Sequence, residues 1–157
     1  MDIDRYNRII QKLKETYGDF DNLKTNNDNL NTKIYTDINK FRNEYEFNLS
    51  DSELPILDCK LSNKNYILAT TQSLYSSYNG VKYQMKYDDF SKIDRTYFFE
   101  NKQLAEGKTR IFRYFLKNDN DFFYEIDSFY PADIIHNKLV LSMRFGKYDS
   151  PSSSSNE

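Results

Sequence analysis

The sequence predicts an α+β fold in which a helical N-terminal segment precedes an antiparallel β domain of about seven strands, closed by a C-terminal capping helix. Apolar residues recur at helical spacing over residues 1–47, short aromatic and β-branched runs follow residue 55, and a helical period returns near residue 131. The 157 residues fit one domain with an appendage. The predicted parts are therefore residues 1–47, a β domain over 55–146, and a disordered tail over 147–157.

The first predicted helix covers residues 4–17. Its apolar side chains recur three or four residues apart, which places them on one face of a helix. Gly18 then offers a natural stop, because glycine readily adopts the left-handed conformation that ends many helices. The apolar residues of this face are Tyr6, Ile9, Ile10, Leu13 and Tyr17.

A second, longer helix is predicted over residues 19–45. Residues 25–31 are rich in Asn and have poor helix propensity, so one long helix and two shorter helices are both open alternatives. An apolar stripe on this segment needs a partner, and it can pack on the β domain or pair between chains as a coiled coil. The stripe consists of Phe20, Leu23, Leu30, Ile34, Ile38, Phe41 and Tyr45.

The β domain begins after the turn formers and the proline of residues 48–55. Asn79-Gly80 predicts a tight hairpin, because both central residues of a type I′ turn need a positive φ. Residues 118–121 predict a second turn between two aromatic strands. The seven predicted strands cover residues 56–61, 66–71, 73–78, 81–87, 93–100, 109–116 and 122–126.

A closing helix is predicted over residues 131–144. Pro131 suits its start, since proline is well tolerated in the first turn of a helix. The serine-rich residues 150–157 cannot bury enough surface to order themselves, which predicts a tail after the helix. The helix residues expected to line one side are Ile134, Ile135, Leu139, Leu141 and Met143.

Three patterns of strand and turn residues follow one another in the middle of the chain: Tyr66-Ile67-Leu68-Ala69-Thr70-Thr71 with Leu74-Tyr75, then Asn79-Gly80, then Tyr87-Asp88-Asp89-Phe90-Ser91-Lys92-Ile93-Asp94. Together they resemble the middle of bacterial pleckstrin-homology-like (PH-like) domains, over about residues 55–143. The resemblance implies two packed antiparallel sheets that form a partly open barrel or sandwich, with a C-terminal helix plugging one end. It also implies a scaffold that binds peptides, proteins or lipids and performs no reaction.

Lipid-binding relatives of that family usually carry several Lys and Arg in the loop that joins the first two strands. The corresponding loop here, residues 62–65, contains Lys64 as its single basic residue. The resemblance therefore favours a protein or peptide partner over a phosphoinositide, and a membrane partner is not expected.

The composition argues against nucleic acid, membranes and secretion. The 22 basic and 24 acidic residues nearly cancel, so no overall field attracts phosphate backbones or anionic lipid. No stretch approaches the ~20 apolar residues that span a bilayer, and the N-terminus lacks the pattern of a secretory signal. Cys59 is the sole cysteine and cannot form an internal disulfide, which favours a reducing compartment. We therefore expect a cytoplasmic protein.

The sequence offers no arrangement that favours catalysis, a cofactor or a metal. His136, the only histidine, is expected at a helix surface or core edge, and Cys59 is expected to be a buried, inert thiol. The four glycines form no phosphate-binding loop or dinucleotide fingerprint. Asp58-x-Lys60 lacks the partner residues of a nuclease site, and the acidic residues within 119–127 lack the order of an EF-hand loop. We therefore expect no enzyme activity.

Aromatic residues, 17 % of the chain, are the feature most open to a functional interpretation. Both faces of the predicted strands carry rings, so some rings must be exposed or covered by the N-terminal helices. Exposed tyrosines suit protein recognition, because a ring with a hydroxyl gives contact area at low entropy cost. The tyrosines predicted to contact a partner are Tyr75, Tyr78, Tyr83, Tyr97, Tyr114 and Tyr124.

The leading functional hypothesis from the sequence is a cytoplasmic protein-binding module. Small, acidic, aromatic-rich proteins of this style include immunity proteins that neutralise a bacterial toxin, where tyrosines and carboxylates would cap a basic toxin site. One alternative is a membrane-peripheral, lipid-binding PH-like domain. Another is a structural scaffold, a homo-oligomer that pairs through the N-terminal helices.

Overall fold

The computed structural model describes residues 2–18, 30–95 and 108–149. The first element is helix α1, Ile3–Tyr17, as predicted. Gly18 follows with a φ of 78°, a left-handed conformation that suits glycine at the end of a helix. The apolar face of α1 contributes to the main hydrophobic core through Tyr6, Ile9, Ile10 and Leu13.

The second predicted helix is wrong over residues 30–45, where the chain is mainly extended. Strand β1, Thr32–Ile34, pairs antiparallel with strand β2, Pro55–Lys60, and a short 3₁₀ turn follows at Ile38–Lys40. Pairing of Thr32–Ile34 with β2 therefore decides the conformation of this segment over the helical period of its apolar residues. The earlier part of the predicted helix, residues 19–29, lies outside the described residues. Residues 30–45 therefore form no helical stripe for a coiled coil.

Within the described residues, the strands form two antiparallel sheets and no closed barrel. The strands after β2 are β3 Tyr66–Thr70, β4 Ser73–Tyr78, β5 Val81–Lys86, β6 Phe90–Ile93, β7 Thr109–Leu116 and β8 Asp121–Asp127. Sheet A is a five-stranded meander in the order β1-β2-β3-β4-β5, and sheet B has the order β6-β7-β8. The α+β prediction is confirmed. The predicted strand over 93–100 differs, since β6 starts earlier and residues 96–100 lie outside the described ones.

Two predicted turns take left-handed backbone conformations. Asn79 and Gly80 have φ angles of 51° and 82° between β4 and β5, as a type I′ turn requires. Asp119 has a φ of 67° between β7 and β8, where short polar side chains tolerate this region. In strand β5, Met85 is buried and its neighbours Gln84 and Lys86 are exposed, because successive side chains of a strand leave on opposite faces.

The two sheets share one hydrophobic core, in which β8 lies against β3 and β4. Alternate residues of β7 and β8 point inward, because successive side chains of a strand leave on opposite faces. The large inward side chains of sheet B are Phe112, Tyr114, Leu116, Phe122, Tyr124 and Ile126. Rings therefore provide much of the area that this small core buries.

A helix over residues 130–144, called α2, closes the chain as predicted. Its middle, Ile134–Leu141, has the wider π-helical turn, with α-helical turns at Tyr130–Asp133 and Ser142–Arg144. The wider turn changes which residues face the core, since Val140 is buried where Leu141 was expected. No helix among the described residues is long and apolar enough to cross a membrane.

The predicted tail begins too early. Tyr148 is 3 % exposed, and its carbonyl oxygen accepts a hydrogen bond from Arg8 Nε at 2.7 Å. Asp149 forms an ion pair with Arg5 at 2.8 Å. Residues 147–149 therefore belong to the folded body and join the end of the chain to α1. The remaining tail residues, 150–157, lie outside the described part.

An irregular segment over residues 41–49 covers the outer face of sheet A. Tyr45 and Phe47 stack on Tyr66, with ring centroids 4.3 and 6.1 Å apart, and Phe47 also contacts Tyr75 at 5.4 Å. The expected cover for such rings was helical, and here an extended segment supplies it. We call the buried residues Phe47, Tyr66, Leu68 and Tyr75 the covered cluster.

Candidate functional site

Half-exposed rings meet where the β4–β5 hairpin lies against β8. Tyr78 stacks on Phe123 with ring centroids 5.6 Å apart, and the Tyr83 ring lies 5.7 Å from the same Phe123 ring. Val81, on the hairpin, is 51 % exposed. Phe123 points outward because it alternates with the buried residues of β8. The surface formed by Tyr78, Val81, Tyr83, Arg113, Phe115 and Phe123 is the seam patch.

Arg113 is fixed within the seam patch by two carboxylates and two rings. Its terminal nitrogens form ion pairs with Asp94 and Asp121, each at 2.9 Å. Its guanidinium carbon lies 4.8 Å from the Phe115 ring centroid and 5.5 Å from that of Phe123. Hydrogen bonding to Asp121 raises the pKa of Arg113, so this donor group stays charged. The patch thus presents an oriented cation between aromatic rings.

Two of the six tyrosines predicted to contact a partner lie in the seam patch. Tyr78 and Tyr83 are both half-buried and share the Phe123 ring. Tyr97 lies outside the described residues. These two predicted contact tyrosines therefore lie together on one surface of the fold.

Tyr75, Tyr114 and Tyr124 are at most 2 % exposed, so their prediction as partner contacts is wrong. Tyr114 and Tyr124 occupy inward positions of sheet B, where their hydroxyl oxygens lie 2.7 Å apart. Tyr75 lies in the covered cluster, and its hydroxyl donates to Glu53. Burial raises the pKa of all three hydroxyls, so they remain neutral hydrogen-bonding groups of the interior.

The single histidine and the single cysteine lie where the sequence placed them. His136 is a core-edge residue of α2 whose Nδ1 lies 2.8 Å from the Tyr114 hydroxyl oxygen. Desolvation lowers the pKa of His136, which favours the neutral ring. Cys59 is buried in β2, and burial raises the pKa of its thiol to about 12. A thiol with that pKa is protonated at neutral pH and is a poor nucleophile.

Asp58 serves the fold as a buried acceptor. Its Oδ2 accepts hydrogen bonds from the hydroxyls of Tyr35 and Tyr66 at 2.9 and 2.7 Å. Desolvation raises the pKa of Asp58, and the two hydroxyls partly offset that effect. Lys60, which the nuclease-like pattern paired with Asp58, instead forms an ion pair with Glu44 at 3.0 Å. This pattern therefore has a structural explanation.

The acidic residues near the β7–β8 hairpin are also engaged. Asp127 accepts hydrogen bonds from the Asn31 backbone and side chain and from the Thr32 hydroxyl. Glu125 accepts hydrogen bonds from Asn63 and Asn65 of the β2–β3 loop and from Thr109 of β7, and Asp121 pairs with Arg113. Among the described residues, no group of three or more His, Cys, Asp or Glu side chains could hold a metal ion.

Sequence reasoning missed Arg113 as part of the candidate surface. Arg113 lies opposite Phe123 in the antiparallel register of β7 and β8. The signal was present, because Arg113 and Phe115 occupy the positions that alternate with the buried Phe112 and Tyr114. Which face of the sheet remained exposed was not visible in that alternation.

No protein-family model, no curated protein and no solved structure matches this chain. The likeness to PH-like domains therefore stays a prediction from the sequence. The seam patch and the two antiparallel sheets that position it are the basis for assigning a function.

Proposed function

We propose that this chain is a non-catalytic protein-binding module, built on a PH-like β domain, whose partner docks on the seam patch. The observation that carries the proposal is the contact of Tyr78, Tyr83 and Phe123 at a half-exposed surface, with Arg113 held beside them. Two antiparallel sheets followed by a closing helix are also the arrangement that the resemblance to PH-like domains implies.

The residue types of the seam patch are those that contribute most to protein interfaces. Tyrosine and arginine are enriched among the residues whose truncation weakens binding most. The half-exposed rings still have apolar area to bury against a partner. Because two ion pairs already orient Arg113, little side-chain entropy is lost when a partner contacts it.

The partner class that we propose is a bacterial toxin with a basic active site, which makes this chain a cytoplasmic immunity protein. The net charge of −2 is too small to attract a partner by itself, so the complementarity to a basic site must come from carboxylates at the edge of the seam patch. Asp121, which borders the seam patch, has a side chain that is 36 % exposed and can face such a surface. The chain is also small, slightly acidic and rich in aromatic residues, as immunity proteins of this style are.

The proposal that the module is non-catalytic rests on the chemistry of its two natural candidates for catalysis. The thiol of Cys59 is buried with a raised pKa, and His136 Nδ1 is bonded to the hydroxyl of Tyr114. Neither group is arranged as the nucleophile and base of a covalent mechanism.

Isothermal titration calorimetry between the full chain and the purified toxin domain encoded by a neighbouring gene tests the proposal. Tyr83→Ser and Phe123→Ser are each expected to weaken binding about tenfold to a hundredfold, as truncation of an interface ring does. Ile3→Ser is the matched control, because Ile3 is an exposed apolar residue of α1. A toxin that binds wild type and both patch variants equally would place its contact elsewhere and overturn the assignment of the seam patch.

Two further measurements test the partner class itself. The chain should protect cells that express the toxin, and the two patch variants should protect them less. Flotation with anionic vesicles should leave the protein in the unbound fraction, and light scattering should report a monomer. Vesicle binding or a stable oligomer, without toxin binding, would replace this proposal with the lipid-binding or scaffold alternative.

A further inference from the structure

Strand β6 and helix α2 border a groove that contains two adjoining cavities, of about 480 and 300 Å³. Ile93, Arg95 and His136 line both cavities, so the two cavities are direct neighbours. Volumes of this size are typical of small-molecule sites. We call this groove the basic groove, after the lining residues Lys92, Arg95, Arg110, His136 and Arg144.

The basic groove carries local positive charge on an acidic chain. Its lining includes four Lys and Arg residues and two carboxylates, Asp94 and Asp133. Asp94 forms an ion pair with Arg113, and Asp133 accepts hydrogen bonds from the Tyr17 hydroxyl and the Asn137 amide. Because the whole chain has a net charge of −2, the local charge suits a small anion better than nucleic acid or a membrane surface.

Aromatic rings form the apolar part of the same groove. Phe90 and Phe115 line the larger cavity, and Phe112 and Phe129 line the smaller one. Phe129 is 71 % exposed and has a φ of 72°, a conformation that is strained for a bulky residue. Strained residues often occur at binding sites, so an exposed ring in this conformation at the edge of a cavity indicates a role in binding.

His136 lies between the cationic and the aromatic parts of the groove, since it lines both cavities. Its Nδ1 is bonded to the Tyr114 hydroxyl, so Nε2 is the ring nitrogen that can face a ligand. Desolvation lowers the pKa of His136, and an anion placed beside it would raise that pKa again. The single histidine of the chain is therefore a natural reporter of anion binding.

We propose that the basic groove binds a small organic anion that carries an aromatic ring, such as an aryl phosphate or an aryl carboxylate. Arg95 contacts the anionic group, and Phe129 stacks on the ring. The inference does not rest on the proposed toxin-binding function, because the protein partner docks on the seam patch. Phe115 lines the larger cavity and belongs to the seam patch, so the basic groove borders the docking face.

NMR of the His136 ring in the full-length protein tests the proposal. Phenyl phosphate is the probe, inorganic phosphate controls for the charge alone, and benzyl alcohol controls for the ring alone. We expect a saturable shift with phenyl phosphate, a rise in the pKa of His136 in the complex, and affinities at least about tenfold weaker for both controls. The absence of a saturable shift with phenyl phosphate, or equal affinity for either control, would overturn the proposal.

Three variants locate the site. Arg95→Gln should weaken phenyl phosphate binding about tenfold, while Arg42→Gln, which removes the same charge from an exposed position elsewhere, should not. Phe129→Gly should fold, because glycine favours this φ, and should weaken phenyl phosphate but not inorganic phosphate. Unchanged affinity in both Arg95→Gln and Phe129→Gly contradicts the assignment.

Discussion

The covered cluster and the seam patch are both rich in aromatic rings, but they differ in what lies over them. In the covered cluster, residues 41–49 place Tyr45 and Phe47 over Tyr66, and the rings beneath are buried. In the seam patch, Tyr78 and Tyr83 stay half-exposed around Phe123. Ring content alone therefore does not identify a binding surface, because a covering segment can convert the same residue types into core.

The two regions also differ in the hydrogen-bond partners of their tyrosine hydroxyl groups. Tyr66 and Tyr75 donate to the buried carboxylates Asp58 and Glu53. A buried hydroxyl without such an acceptor would lose hydrogen bonds to water without compensation. Tyr83 is half-exposed, so water can satisfy its hydroxyl. Substitutions should therefore affect stability strongly in the covered cluster and weakly in the seam patch.

Truncation of a ring should give the largest difference between the two regions. Tyr66→Ala removes a buried ring and a donor to Asp58, and should lower the free energy of unfolding by about 3–5 kcal/mol. Tyr83→Ala should cost less than about 1 kcal/mol, because its ring is half-exposed. Urea denaturation of both variants measures the difference. Equal losses would show that the two regions are equally part of the core.

Removal of one hydroxyl should give a smaller difference of the same sign. Tyr75→Phe keeps the ring but takes a donor from the buried Glu53, and should cost about 1–3 kcal/mol. Tyr83→Phe is the matched change in the seam patch and should leave the free energy of unfolding almost unchanged. Chemical denaturation at neutral pH compares them. A Tyr75→Phe variant as stable as wild type would mean that Glu53 needs no such donor.

The covered face of sheet A should also impose a pH dependence that exposed carboxylates do not. Desolvation raises the pKa of Asp58 above its ordinary value of 3.8, so the folded state holds this proton more tightly than the unfolded chain. The resulting stabilisation is fully present below that value and is lost as the pH rises through the raised pKa. Asp58→Asn cannot titrate, so its stability relative to wild type should increase from about pH 3.5 to about pH 7.

Unfolding curves at both pH values measure that change, with Asp119→Asn as the control at an exposed turn position. The control should track wild type at both pH values. A difference between Asp58→Asn and wild type that stays constant with pH would mean that burial does not change the proton affinity of Asp58.

The smallest effect is expected from the ion pair of the seam patch with Asp121. Asp121→Asn removes the pair whose two side chains are 29 % and 36 % exposed, and it should cost only about 0–1 kcal/mol, because partly exposed ion pairs contribute little to stability. The cost should shrink further at high salt. Denaturation at low and high ionic strength measures it. A loss as large as that of Tyr66→Ala would make this ion pair structural and weaken the assignment of Arg113 to a docking surface.

Local patterns in the sequence correctly predicted the elements for which several sequence signals agree. The spacing of Ile9 and Leu13 predicted α1, and Asn79-Gly80 predicted a hairpin. The period along residues 30–45 failed, because apolar residues at that spacing also suit an extended segment that pairs with β2 and covers a sheet. Periodicity records where apolar residues fall but not what they will contact.

Only part of the candidate surface could be predicted, because local patterns do not show which residues other segments will cover. The sequence could name Tyr78 and Tyr83 as recognition residues, but it named Tyr75, Tyr114 and Tyr124 with equal justification. Whether each of these tyrosines is exposed or buried depends on which strand lies opposite it and on which segment covers it. Arg113 became part of the site through its register with Phe123, a contact that no local pattern contains.

By itself, the sequence determined the α+β class, helices α1 and α2, most strands and the predominance of aromatic rings in the core. Each of these features depends on neighbours within a few residues of the chain. Tertiary structure alone decided the conformation of residues 30–45, the burial of three predicted contact tyrosines, and the meeting of cations around His136. These features join segments far apart in the chain. Their energies come from burial and pairing between those segments, so they are fixed only when the sheets and α2 come together.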